Sequence, residues 1–246
     1  MKIKFTLLAP IFAVFLTCVV TPEGLSQTKQ VKQAAVDPAL MALNYASIIE
    51  NNRKNLTGFS WQLRIEVSKG GEMQFIDLIQ GRFDASGKLQ TTQINQDLKI
   101  RKRHGLISGN RQDKKLIELD TKVKLIREWI LAYIYMSRGD VVNFFDRATK
   151  SPAVGYQNVI QISGKNVLRQ GDAVTLLADQ ATGMPVSLSF RTPLSGTDTV
   201  FANIYFRQLR GNAAFYPDQV DARVKTAKEE DDLNIKVESF DFMKQM

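Results

Sequence analysis

Hydrophobic and polar residues alternate through most of the second half of the chain. Val174-Thr175-Leu176-Leu177-Ala178 runs into Asp179-Gln180-Ala181-Thr182-Gly183, and Met184-Pro185-Val186-Ser187-Leu188-Ser189-Phe190 follows at once. After Pro193-Leu194-Ser195-Gly196 the pattern returns in Val200-Phe201-Ala202-Asn203-Ile204-Tyr205-Phe206, and the stretch closes on Phe215-Tyr216-Pro217. Successive side chains of a strand face opposite ways, so apolar residues at every second position give one apolar face. Val186, Leu188 and Phe190 share such a face, as do Val200, Ala202, Ile204 and Phe206; Phe201 and Tyr205 make the other face of that strand partly apolar. The spacing predicts three strands of an antiparallel meander. In the first turn Asp179 can bond its own backbone and Gly183 accepts a positive φ. Pro185 has no N–H to donate and is expected at the start of its strand or on an edge.

The first half carries both periods. Asp37-Pro38 reads as an N-cap followed by proline at the first helical position, and Leu40, Leu43, Ile48 and Ile49 predict a helix to about Lys54. From Phe59 to Val67 every odd position is apolar and every even one polar, the cleanest strand in the chain. Lys69-Gly70-Gly71-Glu72 is a hairpin turn, Met73 to Phe83 the returning strand and Leu89 to Ile94 a weaker third. Gly105, Gly109 and Asn110 predict a loop through Lys99 to Lys115. Leu116, Leu119, Val123, Ile126, Ile130, Tyr133 and Ile134 recur at spacings of three and four, a helix to about Met136. Trp129, Leu131 and Tyr135 widen its apolar arc, so part of it is expected to face a cavity. Ser137-Arg138-Gly139-Asp140 breaks this helix, and Val141, Val142, Phe144 and Phe145 begin a shorter one that ends near Pro152. Strand signals resume at Tyr156 to Ser163, Asn166 to Arg169 and Val220 to Val224. In the last strand Leu233, Ile235 and Val237 share one parity and Phe240 and Phe242 the other, which predicts a bulge around Glu238-Ser239.

The N-terminus supplies a compartment. Lys2 and Lys4 precede an apolar run from Phe5 to Val20, the form of a secretory signal peptide, with cleavage expected after Ser26. The only cysteine, Cys18, lies inside that run, so the mature chain has no disulfide, thiolate metal site or cysteine nucleophile and must be held by its core. Residues 27–36 read as a flexible linker and 37–246 as a single domain with a central helical insert at about 114–150. The formal charge is +8. A basic exported protein meets anionic lipid headgroups or cell-wall polymers rather than nucleic acid. Arg101, Lys102 and Arg103 are the candidate contacts with an anionic headgroup or membrane surface; a plain solvated loop is the alternative. No G-x-S-x-G, H-E-x-x-H, C-x-x-C or P-loop is present, and the only histidine, His104, stands in the basic stretch. The acids Glu229 to Asp232 fall in a turn. No catalytic residue, metal ligand or cofactor is nominated, and the chain is expected not to be an enzyme.

The segment Val174 to Phe190, with its Asp-x-x-Thr-Gly-Met-Pro turn at Asp179 to Pro185, resembles a signature of the outer-membrane lipoprotein-sorting-protein-like superfamily, the LolA/LolB-like half-barrels. The aromatic-proline element Phe215-Tyr216-Pro217 and the closing strand Leu233 to Phe242 are similar to that pattern too. The resemblance implies an α+β fold: a strongly curved antiparallel β half-barrel with helices packed across its concave face. It also implies an apolar cavity between sheet and helices that holds acyl chains. In this chain the sheet side of that cavity would be Trp61, Leu63, Ile65, Val186, Leu188, Phe190, Ile204 and Phe206, and the helical side Trp129, Tyr133 and Phe144. The expected ligand is the acyl chain of a lipid or lipoprotein, with an envelope protein or a membrane surface as the other contact. The chain would be a monomer in the periplasm or envelope of a Gram-negative-type bacterium. The rival expectation is a sensor or protein-interaction module whose core is filled by its own helices. A controlling arginine near the cavity would correspond to Arg64 or Arg82.

Overall fold

Ten strands of the described residues pair into one antiparallel sheet. The structure, a computed structural model, describes residues 38–98, 106–212, 214–228 and 232–245. The signal peptide, the linker, Arg101, Lys102, Arg103 and His104 fall outside the described residues. The elements run α1 (Pro38–Leu56), β1 (Phe59–Lys69), β2 (Glu72–Phe83), β3 (Leu89–Leu98), α2 (Leu106–Ile134), α3 (Arg138–Arg147), β4 (Thr149–Pro152), β5 (Val159–Lys165), β6 (Ala173–Asp179), β7 (Pro185–Ser195), β8 (Asp198–Gln208), β9 (Phe215–Lys225) and β10 (Leu233–Lys244). They belong to one compact unit from Val36 to Met246. Among them no helix is long and apolar enough to cross a membrane.

In the order β3-β2-β1-β10-β9-β8-β7-β6-β5-β4 the sheet is curved and unclosed: β3 and β4 are its edges and do not meet. Six of the nine ladders carry a register shift. Each extra residue bends its strand and adds twist, so this density of bulges is a direct cause of the curvature. The helices cover one face of the sheet and share its core. Ile65 and Val67 of β1, Val174 and Leu176 of β6, Leu188 and Phe190 of β7, and Val200, Ala202 and Ile204 of β8 form one apolar cluster with Val123, Ile126 and Tyr133 of α2 and Phe144 and Phe145 of α3. A smaller cluster of Leu56, Trp61, Phe83 and Ala214 closes one end, and Leu63 and Tyr135 touch both. Gly81 faces the indole of Trp61, where a Cβ would come within 3.1 Å of the ring, so this strand position needs glycine for the close approach.

Several elements depart from the expected pattern, each for a local reason. The predicted loop through Lys115 is helical from Leu106 on; the cost of Gly109 and Asn110 in a helix is about 1 kcal/mol or less each, small beside the packing of the turns that follow. Asn166 to Arg169 is a loop and not a strand, because the Asp172 carboxylate captures the amides of Val167, Leu168 and Arg169 at 2.7, 2.9 and 2.9 Å. The bulge in β10 falls at Asp241-Phe242, between the Ser60–Met243 and Gln62–Phe240 pairs, with Asp241 at φ 51°. Thr149 to Pro152, expected as the tail of a helix, is the edge strand β4. Pro185 opens β7 as its missing N–H requires, and Val186 is the bulged residue that follows: Ala178 pairs with Pro185 and Leu177 with Ser187. Val186 is therefore half-buried and out of phase with Leu188 and Phe190. The break at Ser137 to Asp140 is a capping box, in which the Ser137 hydroxyl accepts from the Asp140 amide and the Asp140 carboxylate accepts from the Ser137 amide.

Candidate functional site

The inner face of the sheet is where the sequence places a ligand, and α2 is the element that lies on it. Four contacts fasten the second half of α2. The Tyr133 ring stacks on Phe190 with centroids 4.0 Å apart and planes at 20°. Its hydroxyl donates to Asp172 at 2.7 Å, the same buried carboxylate that holds the 167–169 loop. Burial, with the Asp172 hydrogen bond, pushes the Tyr133 hydroxyl well above the ordinary tyrosine range. From that loop the Arg169 guanidinium lies 3.8 Å over the Trp129 ring. At the C-terminal end of α2, Arg53 of α1 donates to the Tyr135 carbonyl and sits over its ring, satisfying an acceptor the helix leaves open. α1 is held in turn by Asn52, whose side-chain amide exchanges two hydrogen bonds, at 2.8 and 2.7 Å, with the backbone of Phe215.

The sequence-predicted residues come together here, but packed against one another. Ile65, Leu188, Phe190, Ile204, Trp129, Tyr133 and Phe144 are all buried in the main cluster, with Leu63 and Phe206 half-buried against it. Trp61 lies in the smaller cluster, stacked on Phe242 at 5.6 Å. Phe144 borders a crevice of only about 60 Å³. The wide apolar arc in the second half of α2 faces this packing rather than a cavity. Arg64 and Arg82 are exposed, and Arg64 pairs with Glu66 at 2.7 Å. The arginine under the helix is Arg127, which sequence reasoning passed over. It shares a polar seam with Asp77 of β2 and Asp120 and Lys124 of α2, the last two 2.7 Å apart. Asp77 points inward with 4% of its surface exposed, and its Oδ1 has no hydrogen-bond partner among the described residues. Burial raises its carboxyl pKa above the usual carboxylate range, opposed by Gln96 and Arg127, and burial lowers that of Arg127.

Open space lies at one end of the half-barrel, beside the first half of α2. A cavity of about 790 Å³ is walled by Leu116 and Leu119 of α2 and Leu233 of β10, with Lys115, Lys122 and Asp198 among its polar residues. Lys122 bonds Asp198 at 3.0 Å across the gap from α2 to β8. Leu116 and Leu119 were legible as helix-face residues; that they border a space was not, because Leu233 and Asp198 reach it from far along the chain. A second groove, about 370 Å³, runs between α1 and the Asp179–Gly183 turn, with Met41, Ile48 and Ile160 in its wall.

No protein-family model matches the chain, and no curated protein matches it. Among solved structures it is similar to a LolA superfamily protein from Nitrosomonas europaea, at 12% identity and a TM-score of 0.30 over 81% of this chain and 92% of that one. It is also similar to the complex structure of Pseudomonas aeruginosa MucA/MucB, at 8% identity and a TM-score of 0.23 over 82% of this chain and 99% of that one. The fold and site by themselves define an α+β half-barrel: a curved, unclosed antiparallel sheet, an inner face filled by helices, and a cavity at one end.

Proposed function

We propose that this protein is an exported, non-enzymatic envelope protein that binds the acyl chain of a lipid or lipoprotein and carries it. The observation that carries the reading is the end cavity, which adjoins the core: of its lining residues, Leu233 belongs to the main cluster and Leu116 and Leu119 pack against it. A chain entering there would lie on Leu116, Leu119 and Leu233. Each buried CH₂ is worth about 0.8 kcal/mol, so ten of them would contribute roughly 8 kcal/mol before the costs of association. The signal-peptide pattern of residues 1–26 and the lipoprotein-sorting-like signature from Val174 to Phe190 support export and this class of ligand.

The test is native mass spectrometry of the full chain secreted into a bacterial periplasm. Lipid or lipoprotein co-purifying with the wild type and absent from Leu119→Asp is the expected result. Clean protein that also takes up no fluorescent fatty acid would remove the reading. A second reading, a sensor or protein-interaction module, is favoured by the filled inner face, where Tyr133, Phe190 and their neighbours leave no room for a chain. It predicts a protein partner and no lipid in the same experiment.

A further inference from the structure

The two edges of the sheet differ. β4 is four residues long and contains Lys150 and Pro152, features that keep a further strand from adding to an edge. β3 is ten residues long, contains no lysine, arginine or proline, and is exposed at every position after Leu89. On its outer side it has no partner among the described residues. The hairpin fixes which of its backbone groups face outward. The Asp84 amide donates to the Lys88 carbonyl, so hydrogen-bonded pairs of β2 and β3 fall at every second position from there, at Arg82–Gln90 and Gln80–Thr92. The N–H and C=O groups of Leu89, Thr91 and Gln93 therefore point away from β2, to the free edge. Beyond Gln93 the extra residue Ile94 interrupts the ladder, because Gln93 pairs with Ile79 and Asn95 with Leu78. The regular free edge is thus Leu89-Gln90-Thr91-Thr92-Gln93.

The composition of this run selects its partner. It carries no charge, and the threonine hydroxyl and the glutamine amide each both donate and accept, so a copy of the same strand offers the groups it needs. We propose that two copies of this chain pair antiparallel along β3, with the Thr91 residues facing each other on a two-fold axis. Leu89 of one copy then faces Gln93 of the other, and Gln90 faces Thr92. The Thr91–Thr91 pair and both Leu89–Gln93 pairs use the outward backbone groups, about two N–H···O=C bonds per pair. Thr91 meets Thr91 and Gln90 meets Thr92, cross-strand pairs whose side chains can hydrogen-bond. At the end of the run Lys88 meets Ile94, so no like charges stand opposite each other. One strand per copy is a small, isologous interface, and a dissociation constant on the order of micromolar is expected. The pairing is independent of the acyl-binding reading.

The experiment is sedimentation of the full chain secreted into a bacterial periplasm, at concentrations from about 1 to about 300 μM. A reversible monomer–dimer equilibrium is expected. Thr91→Lys, which sets two like charges opposite each other on the axis, should weaken association about tenfold or more and leave the far-UV circular dichroism unchanged. Thr91→Ser, which keeps the hydroxyl, should leave association within about twofold. Thr91→Cys in a Cys18→Ser background should form a disulfide-linked dimer under mild oxidation, because the Cα atoms of a hydrogen-bonded pair lie about 5.5 Å apart. Lys88→Cys in the same background should not, because its two copies would lie about 20 Å apart along the strands. A chain that stays monomeric through that range overturns the proposal, as does a dimer untouched by Thr91→Lys or equal cross-linking of the Thr91→Cys and Lys88→Cys variants. A monomer whose Leu89, Thr91 and Gln93 amides exchange slowly with deuterium also overturns it and assigns the edge to another part of the same chain.

Discussion

Tyr133→Phe removes one oxygen and leaves the ring stacked on Phe190. What is lost is the hydrogen bond from the hydroxyl to Asp172 Oδ2 at 2.7 Å. That carboxylate also accepts from the amides of Val167, Leu168 and Arg169, so three of its four donors remain. A hydrogen bond to a charged group contributes about 1.5–3 kcal/mol. Because Asp172 keeps its three amide donors, the lower half of that range applies, about 2 kcal/mol. For a chain of this length each kcal/mol moves Tm by about 2–4 °C, so a fall of roughly 4–8 °C is expected. The assay is urea unfolding followed by far-UV circular dichroism, with thermal melts alongside. Asp172→Asn should cost more, since its NH₂ group would face donors. The double variant should lose less than the sum of the two, because the shared bond is counted once. A Tyr133→Phe protein within about 0.5 kcal/mol of wild type, the scatter of neutral surface changes, would refute the idea that this bond fastens α2.

Burial also raises the hydroxyls of Tyr45 and Tyr135 above the usual tyrosine range. Groups whose folded pKa is raised contribute stability that is complete below the unfolded value of about 10 and is lost as pH climbs above it. The protein should therefore unfold in alkali, with tyrosinate absorbance and loss of circular dichroism rising together; smooth titration of all tyrosines near pH 10 in folded protein would contradict this. Asp77→Asn should raise stability at pH 7 by about 1 kcal/mol, since a buried carboxylate with an unpartnered oxygen is costly there. Its folded pKa is raised, so protonation relieves the wild type, and the gap between the two should close as pH falls through that raised value toward the unfolded value of about 4. A lower Tm for the variant at pH 7 would show that Arg127 depends on the charge. Gly183→Ala should cost about 1–2 kcal/mol by calorimetry, because φ is +71° and the new Cβ would lie 2.9 Å from Ile48 Cδ1; an unchanged melt would mean that α1 yields there.

Strong local signals were legible in the residues themselves. The alternation of Phe59 to Val67, the Gly70-Gly71 turn, the three-and-four spacing from Leu116 to Ile134 and the Asp179–Gly183 turn all appear in the structure where the pattern predicts them. In that turn the Asp179 carboxylate accepts from the Ala181 and Thr182 amides, and so carries its geometry in five consecutive residues. Signals that compete with a distant partner misled. The strand-like run from Asn166 to Arg169 was overridden by a carboxylate three residues later, and the bulges at Val186 and at Asp241-Phe242 were set by pairing registers rather than by the strand's own residues.

Sequence alone determined the apolar face of the strongly patterned elements, such as Phe59 to Val67 and Leu116 to Ile134, and with it the α+β character of the chain, because side-chain direction follows from backbone period. It did not determine what covers that face. β1 pairs with β10, joining the first strand to the last, and the pairing that makes one sheet of ten strands is a contact no local pattern records. Trp129, Tyr133, Phe190 and Ile204 have the same chemistry whether they line a cavity or fill it. Their packing against one another, and the open space beside Leu116, Leu119 and Leu233, were decided only when the helices settled onto the curved sheet and the Tyr133–Asp172 bond set where α2 lies.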